Sequence, residues 1–175
     1  MEDQFPQPDT PRGPLNLDGA AYKLSWSRCA PEKTPDVSGL PSLDYALYLF
    51  NTVKFNLGQL FRMIDEESFI KELSSFYENA PAKASSCRLW FAQYLLIIAF
   101  GKSFLVQYKA GTAPPGSEYA ARAMTLLPDV RDMYGERILE IEVYCLAALY
   151  LQCLDMRITA FQYVRAFLEK LLEIS

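Results

Sequence analysis

The segment Ser85–Gln107, SSCRLWFAQYLLIIAFGKSFLVQ, decides the fold. Apolar residues occupy nearly every side of the helix this run would form, and such a helix belongs at the centre of a bundle or in a bilayer. A membrane span needs about 20 mostly apolar residues. Gln93 and Lys102 interrupt the Trp90–Val106 stretch, and the shorter run Val143–Leu151 is bounded by Glu142 and Gln152. Both therefore read as buried core helices, with no membrane contact expected.

Outward from this centre, apolar residues recur at helical spacing. Leu43, Ala46, Leu47, Phe50, Val53, Leu57, Leu60 and Phe61 make one stripe on a helix expected over Ser42–Met63. Asp65, followed by Glu66 and Glu67, opens a second helix to about Tyr77, because a capping carboxylate satisfies free amides and acids suit a helix start. Pro81 marks a break over Asn79–Ala84, and Ser85 or Ser86 is expected to cap the central helix. Pro114, Pro115 and two glycines make a loop of 109–116. Helices over Glu118–Leu127, Arg137–Leu154 and Ile158–Ile174 complete six, with no convincing strand. The expected fold is all-α, an irregular bundle or superhelix of about six antiparallel helices.

Residues 1–41 differ in kind, since they hold seven of the eleven prolines. They read as a flexible Pro-rich leader, and 42–175 as one helical domain. A chain of 175 residues that is 51% hydrophobic can bury a core of its own. Its charged fraction of 22% and net charge of -4 disfavour unaided binding to nucleic acid or anionic lipid. The acidic, Pro-rich start MEDQFPQPDT is unlike a signal or transit peptide.

Histidine is absent from the chain. That removes Ser-His-Asp and Cys-His activation, imidazole acid-base chemistry and the common helical metal sites, and no Gly-rich phosphate loop is present. Glu136, Glu140 and Glu142 lie close together, but beside Arg137 they read as a solvated helix start rather than paired catalytic acids. Arg165 and Glu169 read as a surface ion pair. Cys29, Cys87, Cys145 and Cys153 have no metal or disulfide spacing and read as reduced core thiols, with a regulatory thiol at Cys145 or Cys153 the sharper alternative. Trp90, Phe91, Tyr94, Phe100 and Phe104 crowd the central helix; core packing explains them, and an aromatic cavity or partner groove is the alternative. No catalytic, cofactor-binding or metal-binding residue is assigned, and no enzyme activity is expected.

The order of these helices resembles a known family. Leu40-Pro41-Ser42 with Ala46, Leu49, Phe50, Phe55 and Phe61, then Asp65-Glu66-Glu67-Ser68-Phe69, resembles the opening of the regulatory domain of fungal zinc-cluster transcription factors, the middle homology region of xylanolytic-activator type. Leu95, Ala99, Phe100 and Gly101 are similar to its central helix, and Gly116, Tyr119, Ala120, Ala123, Leu126 and Leu127 to the next. The stretch Ile138–Tyr163, which contains IEVYCLAALYLQCLDMRITAFQY, is similar to its paired helices, with Tyr150, Leu151 and Gln152 before the turn and Arg157, Ala160 and Tyr163 after it.

The resemblance implies a nuclear, non-catalytic regulatory domain that contacts other proteins or a small-molecule inducer, with the cytoplasm open to a lone fragment. Two departures qualify it. The family's six-cysteine zinc module is missing, since Cys29 alone precedes Leu40, so the zinc cofactor and specific DNA binding are not expected of this chain. After Tyr163 the family continues Gly-x-Ala-x-Arg-x-Ala, whereas this chain reads Val164-Arg165-Ala166-Phe167 and stops at Ser175. That reads as a domain cut short, and an apolar helix face left uncovered would drive self-association. Tyr119, Ala120, Ala123, Leu126, Leu127 and Pro128 also echo a tetratricopeptide-type helix, which makes a helical scaffold the alternative function.

Overall fold

The computed structural model describes Asp18 and residues 22–30, 32–58, 64–109, 111–128 and 137–173. These form α1 (Leu43–Leu57), α2 (Glu66–Glu78), α3 (Ala80–Ser86), α4 (Arg88–Leu105), α5 (Ser117–Leu126), α6 (Arg137–Cys153) and α7 (Arg157–Glu173). The fold is all-α, and there is no strand among the described residues. Among the described residues there are seven helices where six were expected.

The extra helix lies where a break was read. Asn79 accepts a hydrogen bond from the Ala82 amide and Pro81 sits in the first turn, so proline starts α3 instead of stopping a helix. Ser85 and Ser86 consequently do not cap α4. Their hydroxyls bond back to the Pro81 and Lys83 carbonyl oxygens at 2.9 and 3.3 Å, as side chains closing α3. The expected caps of the first two helices are present, Ser42 accepting from the Tyr45 amide and Asp65 from the Ser68 amide. α1 ends at Leu57 rather than Met63, because Gly58 takes a positive φ of 54°; residues 59–63 lie outside the described residues.

α4 is the axle. It packs against α1, α3, α5 and α6, and every residue from Trp90 to Gly101 is buried. Two glycines permit this density. A Cβ at Gly101 would stand 2.8 Å from the Leu49 Cβ, so its absence lets α1 lie directly on α4. Gly116 has a φ of 83°, and a Cβ there would strike the Ala99 carbonyl oxygen, so it lets the start of α5 press on α4. Among the described residues no single helix is long and apolar enough to cross a membrane, and α3 with α4 meets that test only as a pair bent by 114°.

The Pro-rich segment before α1 corrects the flexible-leader expectation over its described part. Residues 22–30 and 32–41 run as a strap without helix or strand across the helices, with Leu24 only 3% exposed and Tyr22, Trp26, Val37 and Leu40 packed inward. Backbone outside helices and strands leaves most of its carbonyls unserved by the segment itself, the Ala30 oxygen excepted, which accepts from the Lys33 amide at 3.1 Å, and donors from the helices serve them. Arg88 reaches the Lys33 and Ala30 oxygens, Arg122 the Ser38 and Asp36 oxygens, Tyr119 the Gly39 oxygen and Tyr77 the Pro41 oxygen. The Cys29 amide donates to the Thr125 oxygen at 2.9 Å. The readings of residues 1–17, 19–21 and 31 lie outside the described residues.

Candidate functional site

α6 and α7 are joined by the turn Leu154-Asp155-Met156. The Met156 amide bonds to the Leu151 oxygen at 2.9 Å, and Asp155 takes a φ of 61°, a left-handed helix ending that a short polar side chain tolerates. The turn folds α7 back along α6. Asp18, from the distant N-terminal part of the chain, accepts from the Ile158 amide and the Thr159 hydroxyl and so caps the start of α7. Trp26 then sets its edge on Tyr163, with ring centres 6.3 Å apart, and Tyr163 lies beside Tyr144 of α6. The α6–α7 hairpin is thus fixed at its turn and on one face.

Its other face is open. Cys145, Leu149 and Gln152 on α6 stand at helical spacing opposite Arg157, Ala160 and Phe161 on α7, around a cleft of 560 Å³. The α7 wall carries a ridge of uncovered apolar side chains, with Phe161 at 64% and Val164 at 39% exposed lining the cleft itself and Leu168 at 50% and Leu172 at 76% exposed beyond it. Steps of three and four residues place them on one side of the helix. Together with the cleft they make one continuous exposed apolar patch.

The carboxylates are arranged otherwise than their sequence suggests. Glu140 and Glu142 are buried, which corrects the solvated helix start; Glu136 and the Arg137 side chain lie outside the described residues. Residues two apart on a helix face different directions, so the two do not form an acid pair. Glu142 instead accepts from Gln93 Nε2 of α4 at 2.7 Å, and burial pushes its pKa above the ordinary carboxylate value, opposed in part by that bond. A second cleft, of 740 Å³, opens beside this pair and is crossed by the Lys83–Glu72 ion pair. Arg165 is exposed, whereas the Glu169 side chain lies outside the described residues.

Cysteine placement is also corrected. Cys29, Cys87 and Cys145 are half-buried and Cys153 is exposed, so none is a fully buried core thiol. Burial pushes the Cys145 thiol up, which lowers its thiolate fraction and its reactivity. Cys145 and Cys153 line different cavities and do not act as a pair. Of the central aromatics, Trp90, Phe91, Tyr94 and Phe100 are core, in ring contact with Phe76 or with their own helix neighbours, while Phe104 is half-exposed at the edge of a cavity. Among the described residues no group of three histidine, cysteine, aspartate or glutamate side chains stands close enough to hold a metal ion.

The sequence reading missed the donors that hold the strap, Arg88 and Arg122. A lone arginine on a helix gives no sign that it will serve backbone carbonyls some 55 or 86 residues away. No protein-family model, curated protein or solved structure matches the chain.

Proposed function

We propose that this domain is a non-catalytic regulatory module that works by protein contact, of the kind found in fungal zinc-cluster transcription factors, and that the α6–α7 cleft is its contact surface. The observation that carries the contact reading is the cleft with the exposed ridge of Phe161, Val164, Leu168 and Leu172 beside it. The link to transcription is supported by the order of residues that resemble that family. Gly101 and Gly116, two of those residues, stand where helices approach too closely for any side chain, so a packing reason underlies them.

The surface is suited to a second copy of itself. α7 supplies both a wall of the cleft and the neighbouring ridge, so a twofold pairing sets the ridge of each copy into the cleft of the other. Burying what remains exposed of the four apolar side chains adds about 1 kcal/mol each, enough to matter against the cost of association.

A tethering experiment tests the reading. The chain is fused to an unrelated DNA-binding module in a fungal cell, above a reporter gene. The expected result is a change in reporter output that Phe161→Ser with Val164→Ser abolishes at equal protein level. An unchanged reporter with the unsubstituted chain overturns the transcriptional reading and leaves a plain helical scaffold. A double variant as active as the parent overturns the assignment of the cleft.

A further inference from the structure

The cleft of 740 Å³ lies apart from the proposed contact surface. It draws on Ile138, Leu139 and Glu142 at the start of α6, whereas the α6–α7 cleft draws on that helix from Cys145 onward. Its charges are uneven, with Asp65, Glu72 and Glu142 lining it against Lys83. Lys83 is held by Glu72 in an ion pair, which leaves the Asp65 and Glu142 carboxylates without a cation among the described residues. Asp65 sits at the cap of α2, where its Oδ1 accepts from the Ser68 amide at 3.3 Å.

Glu142 marks this cleft out from an ordinary acidic surface. The residue is only 8% exposed, and its Oε2 accepts from Gln93 at 2.7 Å. Its Oε1 has no hydrogen-bond partner, yet this oxygen is not sealed in: it keeps accessible surface, and the residue lines the cleft. A carboxylate oxygen that is mostly stripped of water and given no donor is costly, and it accepts from a donor that enters. Burial pushes the Glu142 pKa up, the Gln93 bond opposes this in part, and the nearby charge of Asp65 adds to the push. A positive charge in the cleft relieves both upward effects.

The rest of the wall is apolar. Ile64 and Phe69 are buried beside the carboxylates, Leu139 is half-buried, and Ile138 stands 75% exposed at the rim. Among the described residues the carboxylates do not converge closely enough to cage a metal ion. An ammonium ion needs no cage, because each of its N–H groups donates along its own direction.

We propose that this cleft binds a small organic ammonium ion, which donates to Glu142 Oε1, sets its charge toward Asp65 and lays an apolar body on Ile64, Leu139 and Ile138. The volume suits a whole small molecule, and a charge-assisted hydrogen bond to a partly buried carboxylate is stronger than a neutral one.

The test titrates the whole chain calorimetrically, at neutral pH and physiological salt, with phenethylammonium and with phenethyl alcohol, which has the same skeleton and no charge. The ammonium probe is expected to bind saturably at one site, about tenfold or more tighter than the alcohol. Glu142→Gln should erase that preference with an unchanged helical signal. Asp65→Asn keeps a good helix cap and removes the charge, so it should weaken the ammonium probe severalfold and leave the alcohol unaffected. Phe161→Ser with Val164→Ser should bind both probes as the parent does, because those residues belong to the other cleft. Absent or non-saturable binding of phenethylammonium, equal binding of the two probes, or a preference undiminished in either Glu142→Gln or Asp65→Asn overturns the proposal.

Discussion

Gln93 of α4 donates from Nε2 to a Glu142 carboxylate oxygen of α6 at 2.7 Å, and both side chains are buried. This is a polar tie between the central helix and the α6–α7 hairpin. Its two ends are unequal. Gln93 is neutral, while Glu142 resists ionisation because burial withholds the water that would solvate its charge.

The sign of the pH dependence follows. A carboxyl whose pKa is raised on folding binds its proton more tightly in the folded chain, so it favours folding below its ordinary value of 4.5. That contribution is lost as pH rises through the higher folded value. Glu142→Gln keeps an oxygen to accept from Gln93 and removes the ionisable group. It should melt at the same temperature or higher at neutral pH, with a flatter pH dependence just above 4.5, as measured by circular dichroism across a pH series. A steeper dependence would contradict this. Gln93→Ala, which strands the buried carboxyl, should cost about 2 kcal/mol or more.

Gly101 and Leu49 set the distance between α1 and α4. A Cβ at Gly101 would meet the Leu49 Cβ at 2.8 Å and the Leu49 backbone oxygen at 3.1 Å, so the neighbour cannot yield by a side-chain turn alone. Gly101→Ala should therefore destabilise by about 1–3 kcal/mol in denaturant unfolding, against the usual gain from alanine in a helix. Combining it with Leu49→Gly, which removes the Leu49 Cβ that stands closest, should give less than the sum of the two losses. Strict additivity would show that the close approach does not govern the site.

Arg122 holds the strap by two carbonyl oxygens, those of Ser38 and Asp36, and lies 5.9 Å from the Tyr119 ring centre. Arg122→Ala should leave the helices intact and loosen the strap, which limited proteolysis between residues 32 and 41 would register as faster cleavage. The global loss should be small, about 1–2 kcal/mol. Unchanged cleavage would mean that inward packing of Leu24, Trp26 and Val37 holds the strap without it.

Much of this was legible in the sequence, because the strongest signals there are local. The all-apolar run of α4 announced its own burial, and Ser42 and Asp65 announced the starts of α1 and α2. Pro81 was misread because proline interrupts a helix interior but suits a first turn, and only the Asn79 cap separates the two cases. The strap was misread because proline-rich composition records what a segment cannot do for itself, not what Arg88, Arg122, Tyr119 and Tyr77 do for it. The α7 helix was legible, but not which of its apolar residues stay exposed, since that depends on what packs against it. The cavity edged by Phe104 was not legible either, since its walls come from residues as far apart as Tyr22, Phe104, Pro114 and Tyr150.

The central claim is that the α6–α7 cleft and the α7 ridge make contact with protein, and sedimentation equilibrium over a wide range of chain concentration tests it most directly. The parent chain should associate reversibly to a dimer, and Phe161→Ser with Val164→Ser should remain monomeric with an unchanged helical signal, because both side chains are exposed in the single copy. A parent chain that stays monomeric throughout, or a double variant that dimerises as well as the parent, would contradict it.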